Sequence, residues 1–379
     1  MKIIHVITKL ELGGAQQNTL WTCKNLDINK FDTTLVCGKG GILDKDAQTN
    51  VSKIIFSKYL VREISPFKDM MAFFELFFIF KKEKPDIIHT HSSKAGIIAR
   101  IAAFLAGVKK IIHSYHGFGF NNSQPALIRY FYILLEKISA IYTDAFIFVS
   151  NDNIKTAMKY KIGNPERYNL IRSGINLSKF SKEKDFSFLE NLGITKNNSK
   201  IISTVANLKP QKNPHDFIKI AEQIIKKGID AYFIYAGGGK NINYFRKLVN
   251  EMGIATRCIF VDWVSEPFKV YRASDIFLLT SLWEGLPRSL IEAICSGVVP
   301  VCYKTDGVND IIIDGVNGFM VEQKDIAKAS SIIEKLITDN EFYEKIKNNV
   351  LKTNLNEFDI DNMVKKQEIL YTTLMEEHA

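Results

Sequence analysis

Two glutamates, Glu284 and Glu292, stand eight positions apart in the stretch SLWEGLPRSLIEAICSGVVPV (281–301). Pro287 suits a first helical position, where a missing N–H costs nothing, and RSLIEAICS continues with helix formers up to Gly297. Glu284 therefore falls in the loop before a helix and Glu292 in its second turn. The free N–H groups and positive dipole end of such a helix start suit a phosphate. Carboxylates placed there repel a phosphate unless they accept hydrogen bonds from hydroxyls, and a sugar ring and a ribose both offer hydroxyls.

Other residue types with chemical potential recur at expected strand ends. Lys209 and Lys212 lie in KPQKNPHDF (209–217), a strand-to-helix turn, where a lysine meets a phosphate as a point charge or stays a solvated loop residue. Gly13 and Gly14 follow the first strand and would let backbone approach a ligand closely. The segment is not G-x-G-x-x-G, and the second strand ends in Cys37-Gly38 without an acid, which argues against a nicotinamide dinucleotide. His89 and His91 alternate on one strand and could bind a metal, but spacing shows no third ligand, and histidines packed against a core are the alternative. His116 ends a strand just before Gly117 and is placed to hydrogen-bond or exchange protons near neutral pH. AGGGK (236–240) is a further glycine turn after a strand.

These residues need rigid elements to hold them, and the chain alternates strand-like and helix-like segments almost throughout. Strands are expected at 3–8, 33–38, 53–57, 86–91, 110–116, 145–150 and 168–173, then at 200–208, 231–237, 258–264, 276–281, 298–303 and 318–322. Continuous apolar strands separated by helices imply parallel sheets covered on both faces. Two doubly wound domains in tandem follow, at 1–180 and 195–357, with the polar stretch 181–200 as the linker and an amphipathic helix at the end (358–379). Ligands of such sheets bind at the carboxyl ends of the strands, so a shared ligand is expected in the cleft between the domains.

Composition sets further bounds. The chain has 379 residues, 46% hydrophobic and 24% charged, values of a globular protein with substantial cores. Five cysteines without a C-x-x-C pair favour a reducing compartment over a disulfide framework or zinc site. The opening MKIIHVITK reads as a strand and not a signal peptide, and no run of 18 apolar residues predicts a membrane span. Residues 1–175 hold 24 Lys/Arg against 14 Asp/Glu, whereas the remainder holds 26 against 27. The excess positive charge therefore lies in the first half, pointing there to an anionic partner or a solvated basic surface. Aromatic and basic residues do not interleave as in a nucleic-acid-binding module, so no nucleic acid is expected.

Taken together, the GGA loop (13–15), HTHSSKAG (89–96), HGFGF (116–120), KPQKNPHDF (209–217), ASDIFLLTSLWEGLPRSLIEA (273–293) and NGF (317–319) resemble the retaining nucleotide-sugar glycosyltransferases of the GT-B fold, glycosyltransferase family 4. The resemblance implies two Rossmann-like α/β domains, an inter-domain cleft and a C-terminal helix crossing back onto the first domain. It implies that Glu292 accepts hydrogen bonds from the nucleotide's ribose and that Glu284 sits beside the donor sugar as a catalytic group. Lys212, the Gly285–Leu286 backbone and the Gly13–Gly14 loop would hold the diphosphate, and His116 would lie next to the reacting sugar. It also implies retention of anomeric configuration and no essential metal or other cofactor. Many relatives carry Arg five residues before the lysine, where this chain has Asn207; Lys209 is the candidate replacement. Asp262 stands where relatives often have Gly.

The expected activity is transfer of a hexose or N-acetylhexosamine from a nucleotide-sugar, with UDP as the expected carrier, to a lipid-linked or saccharide acceptor in surface polysaccharide synthesis. The helix FKDMMAFFELFFIFKKEK (67–84) has a very wide apolar face, so it is either buried on a sheet or docked on an anionic membrane through Lys81, Lys82 and Lys84. A cytoplasmic protein peripheral to the inner membrane face is the corresponding expectation. The competing readings are a nucleotide-sugar epimerase of similar fold and a non-catalytic sugar-nucleotide-binding subunit.

Overall fold

The computed structural model describes residues 1–121, 123–180 and 183–376. Positions 181 and 182 of the expected linker and 377–379 of the expected last helix lie outside the described residues. The chain divides into two compact units, one formed by Met1–Gly174 with the segment from Glu357 onward and the other by Ile175–Asn356.

The first unit is built on a seven-stranded parallel sheet. Its strands are β1 (Lys2–Lys9), β2 (Asp32–Gly38), β3 (Lys53–Ser57), β4 (Ile87–His91), β5 (Lys110–Tyr115), β6 (Ala145–Phe148) and β7 (Tyr168–Leu170), in the order β3-β2-β1-β4-β5-β6-β7. Between them run α1 (Gly14–Asn25), α2 (Asp44–Asn50), α3 (Pro66–Glu83), α4 (Ser93–Ala106), α5 (Ala126–Ile141) and α6 (Asn151–Tyr160). The central strands are rich in Ile, Val and His and are buried on both faces, as parallel strands must be. Ala72, Leu76 and Phe80 of α3 and Ala95, Ala99 and Ala102 of α4 pack on one face against Ile4, Val6, Ile88 and Ile111.

The second unit repeats the plan with six parallel strands. These are β8 (Lys200–Val205), β9 (Ala231–Ala236), β10 (Cys258–Val261), β11 (Ile276–Leu279), β12 (Val299–Tyr303) and β13 (Phe319–Val321), in the order β10-β9-β8-β11-β12-β13. The helices are α7 (Ser187–Glu190), α8 (Pro214–Lys226), α9 (Ile242–Glu251), α10 (Pro267–Ala273), α11 (Arg288–Cys295), α12 (Ile326–Thr338) and α13 (Asn340–Lys352). Part of the stretch expected as a linker belongs to this core: Phe188, Leu189 and Ile194 are buried beside Ile201, Ile234 and Val270. Apolar side chains scattered in a polar segment give no periodicity, yet these cover part of one sheet face.

The last helix, α14 (Ile360–Glu376), belongs to the first unit. Ile360, Met363, Val364, Tyr371 and Leu374 cover the opposite sheet face, against Ile3, Ile87, Ile112 and Ile147. Burying side chains of this size stabilises by at most about 1.5–3 kcal/mol each. Entry of the helix depends on Gly174, where a Cβ would stand 2.4 Å from the Ile360 Cα.

Candidate active site

Each sheet reverses its winding once, between β1 and β4 in the first unit and between β8 and β11 in the second. At such a switch point two loops diverge at the carboxyl ends of neighbouring strands and leave a crevice for a ligand. In the second unit these are the loops after β8 and after β11, and they carry Lys212 and Glu284.

Backbone bonds stitch the two loops together. Pro210–Lys212 forms one 3₁₀ turn, and Asn213 takes a left-handed φ of 48° before Pro214 opens α8. The Leu282 N–H donates to the Gln211 carbonyl at 2.8 Å, and Gln211 Nε2 donates to the Trp283 carbonyl at 2.7 Å. Thr280 Oγ1 donates to the carbonyls of Lys212 and Asn213, both at 3.0 Å. The result places Lys212 Nζ 2.5 Å from Glu284 Oε1, with the two side chains 17% and 8% exposed. An ion pair this sheltered has fixed geometry, unlike a surface pair.

Glu292 stands on α11, which begins at Arg288 with Pro287 as its cap, one residue later than the sequence suggests. Its Oε2 accepts from Tyr271 Oη at 3.1 Å. Burial raises the Glu292 carboxyl above its ordinary range, while the neighbouring Arg288 charge and the Tyr271 hydroxyl pull it down. A carboxylate held this way accepts hydroxyl hydrogen bonds at low reorganisation cost. Leu286 is buried, and Gly307, at φ +77°, lets the loop after β12 press on this turn, since a Cβ there would meet the Gly285 carbonyl at 2.7 Å.

Three oxygens that sequence reasoning did not bring together mark the same edge. Asn207 Oδ1, Ser281 Oγ and Thr305 Oγ1 are buried and have no hydrogen-bond partner among the described residues. They follow β8, β11 and β12, which are neighbours in the sheet. Buried polar atoms are nearly always satisfied, so a row of unsatisfied ones along one carboxyl edge suits a polar ligand. Their position immediately after strand ends was a readable signal. Lys209 is exposed and caps the 3₁₀ turn. The AGGGK glycines serve the fold instead: a Cβ on Gly237 would stand 2.0 Å from the Ala206 carbonyl oxygen, and one on Gly238 would meet Asp262 and Trp263.

The remaining candidates lie in the first unit. Gly13 is extended, and Gly14 opens α1, whose first turn holds no acidic residue. His116 follows β5 and bonds through Nε2 to His91 Nδ1 at 3.3 Å. His5, from β1, joins His89 and His91, and ring nitrogens of the three approach within 4.8 Å of one another. Spacing concealed His5 because strand register, not sequence distance, brings it opposite His89.

Comparison with known proteins matches both units. Residues 12–179 match Glycosyltransferase Family 4, and residues 190–353 match Glycosyl transferases group 1. The chain is 33% identical over 382 residues to the UDP-Gal:alpha-D-GlcNAc-diphosphoundecaprenol alpha-1,3-galactosyltransferase of Escherichia coli, covering 99% of this chain and 97% of the relative. The chain belongs to glycosyltransferase family 4. This glycosyltransferase is also 26% identical to the capsular polysaccharide biosynthesis glycosyltransferase CapM of Staphylococcus aureus, over 99% of this chain and 98% of that one. The crystal structure of Anabaena Alr3699/HepE in complex with UDP and glucose superposes at a TM-score of 0.84 and 18% identity, covering 98% of this chain and all of that one. That likeness establishes the GT-B fold of the glycosyltransferase. No helix among its described residues is long and apolar enough to cross a membrane.

Proposed function

We propose that this glycosyltransferase moves a hexose or N-acetylhexosamine from a UDP-sugar to a lipid-linked diphosphate saccharide at a membrane surface, in surface polysaccharide synthesis. The observation that carries the reading is the sheltered Lys212–Glu284 pair at the switch point. A donor diphosphate takes over the Lys212 ammonium, and Glu284 is released to the hydroxyls of the donor sugar. Glu292 accepts from the ribose. The bond between the anomeric carbon and the diphosphate breaks, and the electron pair leaves with UDP, whose charge Lys212 and the α11 start stabilise. The acceptor hydroxyl attacks from the face the diphosphate leaves, and its proton passes to the departing phosphate oxygen, so configuration is retained. His116 offers an imidazole to a sugar hydroxyl. Fixed cationic and N–H groups take the place of a metal, and transfer is expected to continue in EDTA.

The membrane half of this proposal rests on α3, α4 and α5. Phe67, Phe74 and Phe78 of α3, Phe104 of α4, and Leu127 and Phe131 of α5 are all exposed, and α4 packs against both other helices. Each acid on these helices is engaged: Asp69 with Lys94, Glu75 with Ser57, Glu83 with Lys2 and Lys53, and Glu136 with Arg100. Lys68, Lys81, Lys82 and Lys137 stay exposed. Apolar rings flanked by unopposed lysines suit an anionic bilayer interface.

The deciding experiment incubates the protein with UDP-galactose and polyprenyl-diphosphate-linked N-acetylglucosamine, and reads the anomeric configuration of the product by NMR. An α-linked disaccharide supports the reading. Conversion of the UDP-sugar without acceptor would instead identify an epimerase. A thermal shift with UDP, and none with GDP or ADP, supports the carrier assignment.

A further inference from the structure

We propose that Gln211 and Gln323 are positioning residues for Glu284: from the two flanks of β11 their carboxamides hold the carbonyls of Trp283 and Leu282, and so fix the aim of the Glu284 carboxylate. The proposal rests on the reading that Glu284 serves the transfer, but one arm of its test does not.

Residues 280–287 lie between β11 and α11, in neither strand nor helix. Backbone outside regular elements has no ladder to hold it, so its shape depends on what its polar groups meet. Two successive carbonyls of this loop meet glutamines. Gln211 Nε2 donates to the Trp283 carbonyl at 2.7 Å. Gln323 Nε2 donates to the Leu282 carbonyl at 2.8 Å and to the Lys304 carbonyl at 3.0 Å. A carbonyl oxygen only accepts and a carboxamide donates only through its nitrogen, so these partners fix which way each amide faces.

Gln211 belongs to the loop after β8, and Gln323 follows β13. β8 lies on one flank of β11, and β12 and β13 lie on the other, so the loop is gripped from both. Each grip has a second point. The Leu282 N–H donates to the Gln211 carbonyl at 2.8 Å, and the Lys304 N–H donates to the Val321 carbonyl at 2.8 Å while its ammonium pairs with Glu322. The peptide group is planar, so the Trp283 carbonyl and the Glu284 N–H and Cα move as one rigid unit. Pinning the Trp283 oxygen removes the rotation of that plane that would swing the Glu284 side chain. Pinning the Leu282 oxygen fixes the plane before it. With both held, the carboxylate keeps its place on the sheet edge whether Lys212 or a donor sugar meets it.

The test is a double-mutant cycle on the full-length enzyme. Methionine approaches the length of glutamine and has no N–H, so Gln211→Met and Gln323→Met remove the bonds with little change of shape. Each is expected to lower kcat about 10-fold while KM for the UDP-sugar, and UDP affinity by calorimetry, stay within about 2-fold. In the Glu284→Gln background no carboxylate is left to aim, and the same substitutions are expected to change kcat by less than about 2-fold. Losses that multiply in that background overturn the proposal, as does an unchanged kcat in both single variants. A fall in UDP affinity that matches the fall in kcat also overturns it, because the glutamines would then be acting on Lys212. Gln323 is exposed, so Gln323→Met carries the cycle if Gln211→Met fails to fold. Deuterium exchange of residues 281–286 needs no activity: both variants are expected to exchange there on the order of 10-fold faster than the wild type, and unchanged exchange overturns the proposal. An inactive wild type would remove the transfer reading, and faster exchange in the variants would then still bear out the grip on the Glu284 loop.

Discussion

The two units share one architecture and differ in what their switch points hold. In the second unit the loops after β8 and β11 present a lysine and a carboxylate 2.5 Å apart, with Glu292 nearby on α11. In the first unit the corresponding strands, β1 and β4, carry imidazoles that burial keeps neutral. The same backbone plan thus supplies fixed charge in one unit and uncharged hydrogen-bonding groups in the other. A departing diphosphate needs the first kind of surface.

The largest expected effect sets the units apart by pH. His5, His89, His91 and His113 all hold a proton less tightly folded than unfolded, with His5 down to about 3. Below the unfolded value of about 6.5 the unfolded chain therefore binds more protons. The stabilisation is fully present above that pH and is lost as pH falls, at up to about 1.4 kcal/mol per pH unit for each histidine. The first unit is expected to unfold before the second between pH 6.5 and 5. Trp21 reports on the first unit and Trp263 and Trp283 on the second, so single-tryptophan fluorescence resolves the order. Coincident transitions would break the comparison.

The next effect belongs to the charged edge. Glu284→Gln is expected to lower kcat roughly 10²- to 10³-fold, with the UDP thermal shift retained. Lys212→Gln is expected to weaken UDP binding by about 1.5–3 kcal/mol, roughly 10- to 100-fold, measured by calorimetry. If Lys212→Gln left UDP affinity intact, the contrast between the edges would lose its functional meaning. The smallest effect concerns the membrane face: Lys82→Gln is expected to cost about 1 kcal/mol of partitioning onto anionic vesicles, and nothing on neutral ones.

The thirteen strands among the described residues were legible in the sequence, most of them because parallel strands buried on both faces leave runs of Ile, Val and Phe. The Lys212–Glu284 neighbourhood was legible as two separate loops, and its pairing was not, because the order of β8 and β11 in the sheet is a tertiary fact. His5 escaped for the same reason. The orientation of α3 could not be read either. A helix whose apolar face is very wide does not say which part of it is covered, and Phe67 and Phe78 turn outward while Leu76 and Phe80 turn inward. α5 is a sharper case, since its anchoring depends on the buried Arg100–Glu136 pair at 2.6 Å, to which Tyr115 adds a hydrogen bond.

The closing of the first unit by α14 orders events during synthesis. The sheet of residues 1–174 leaves the ribosome early, but the helix that supplies Tyr371 and shields His89 is made only after all of Ile175–Asn356. Domains commonly fold in turn as they emerge. Here the unit that begins first is completed after the second, and its histidine-lined face stays open to water until α14 has been made.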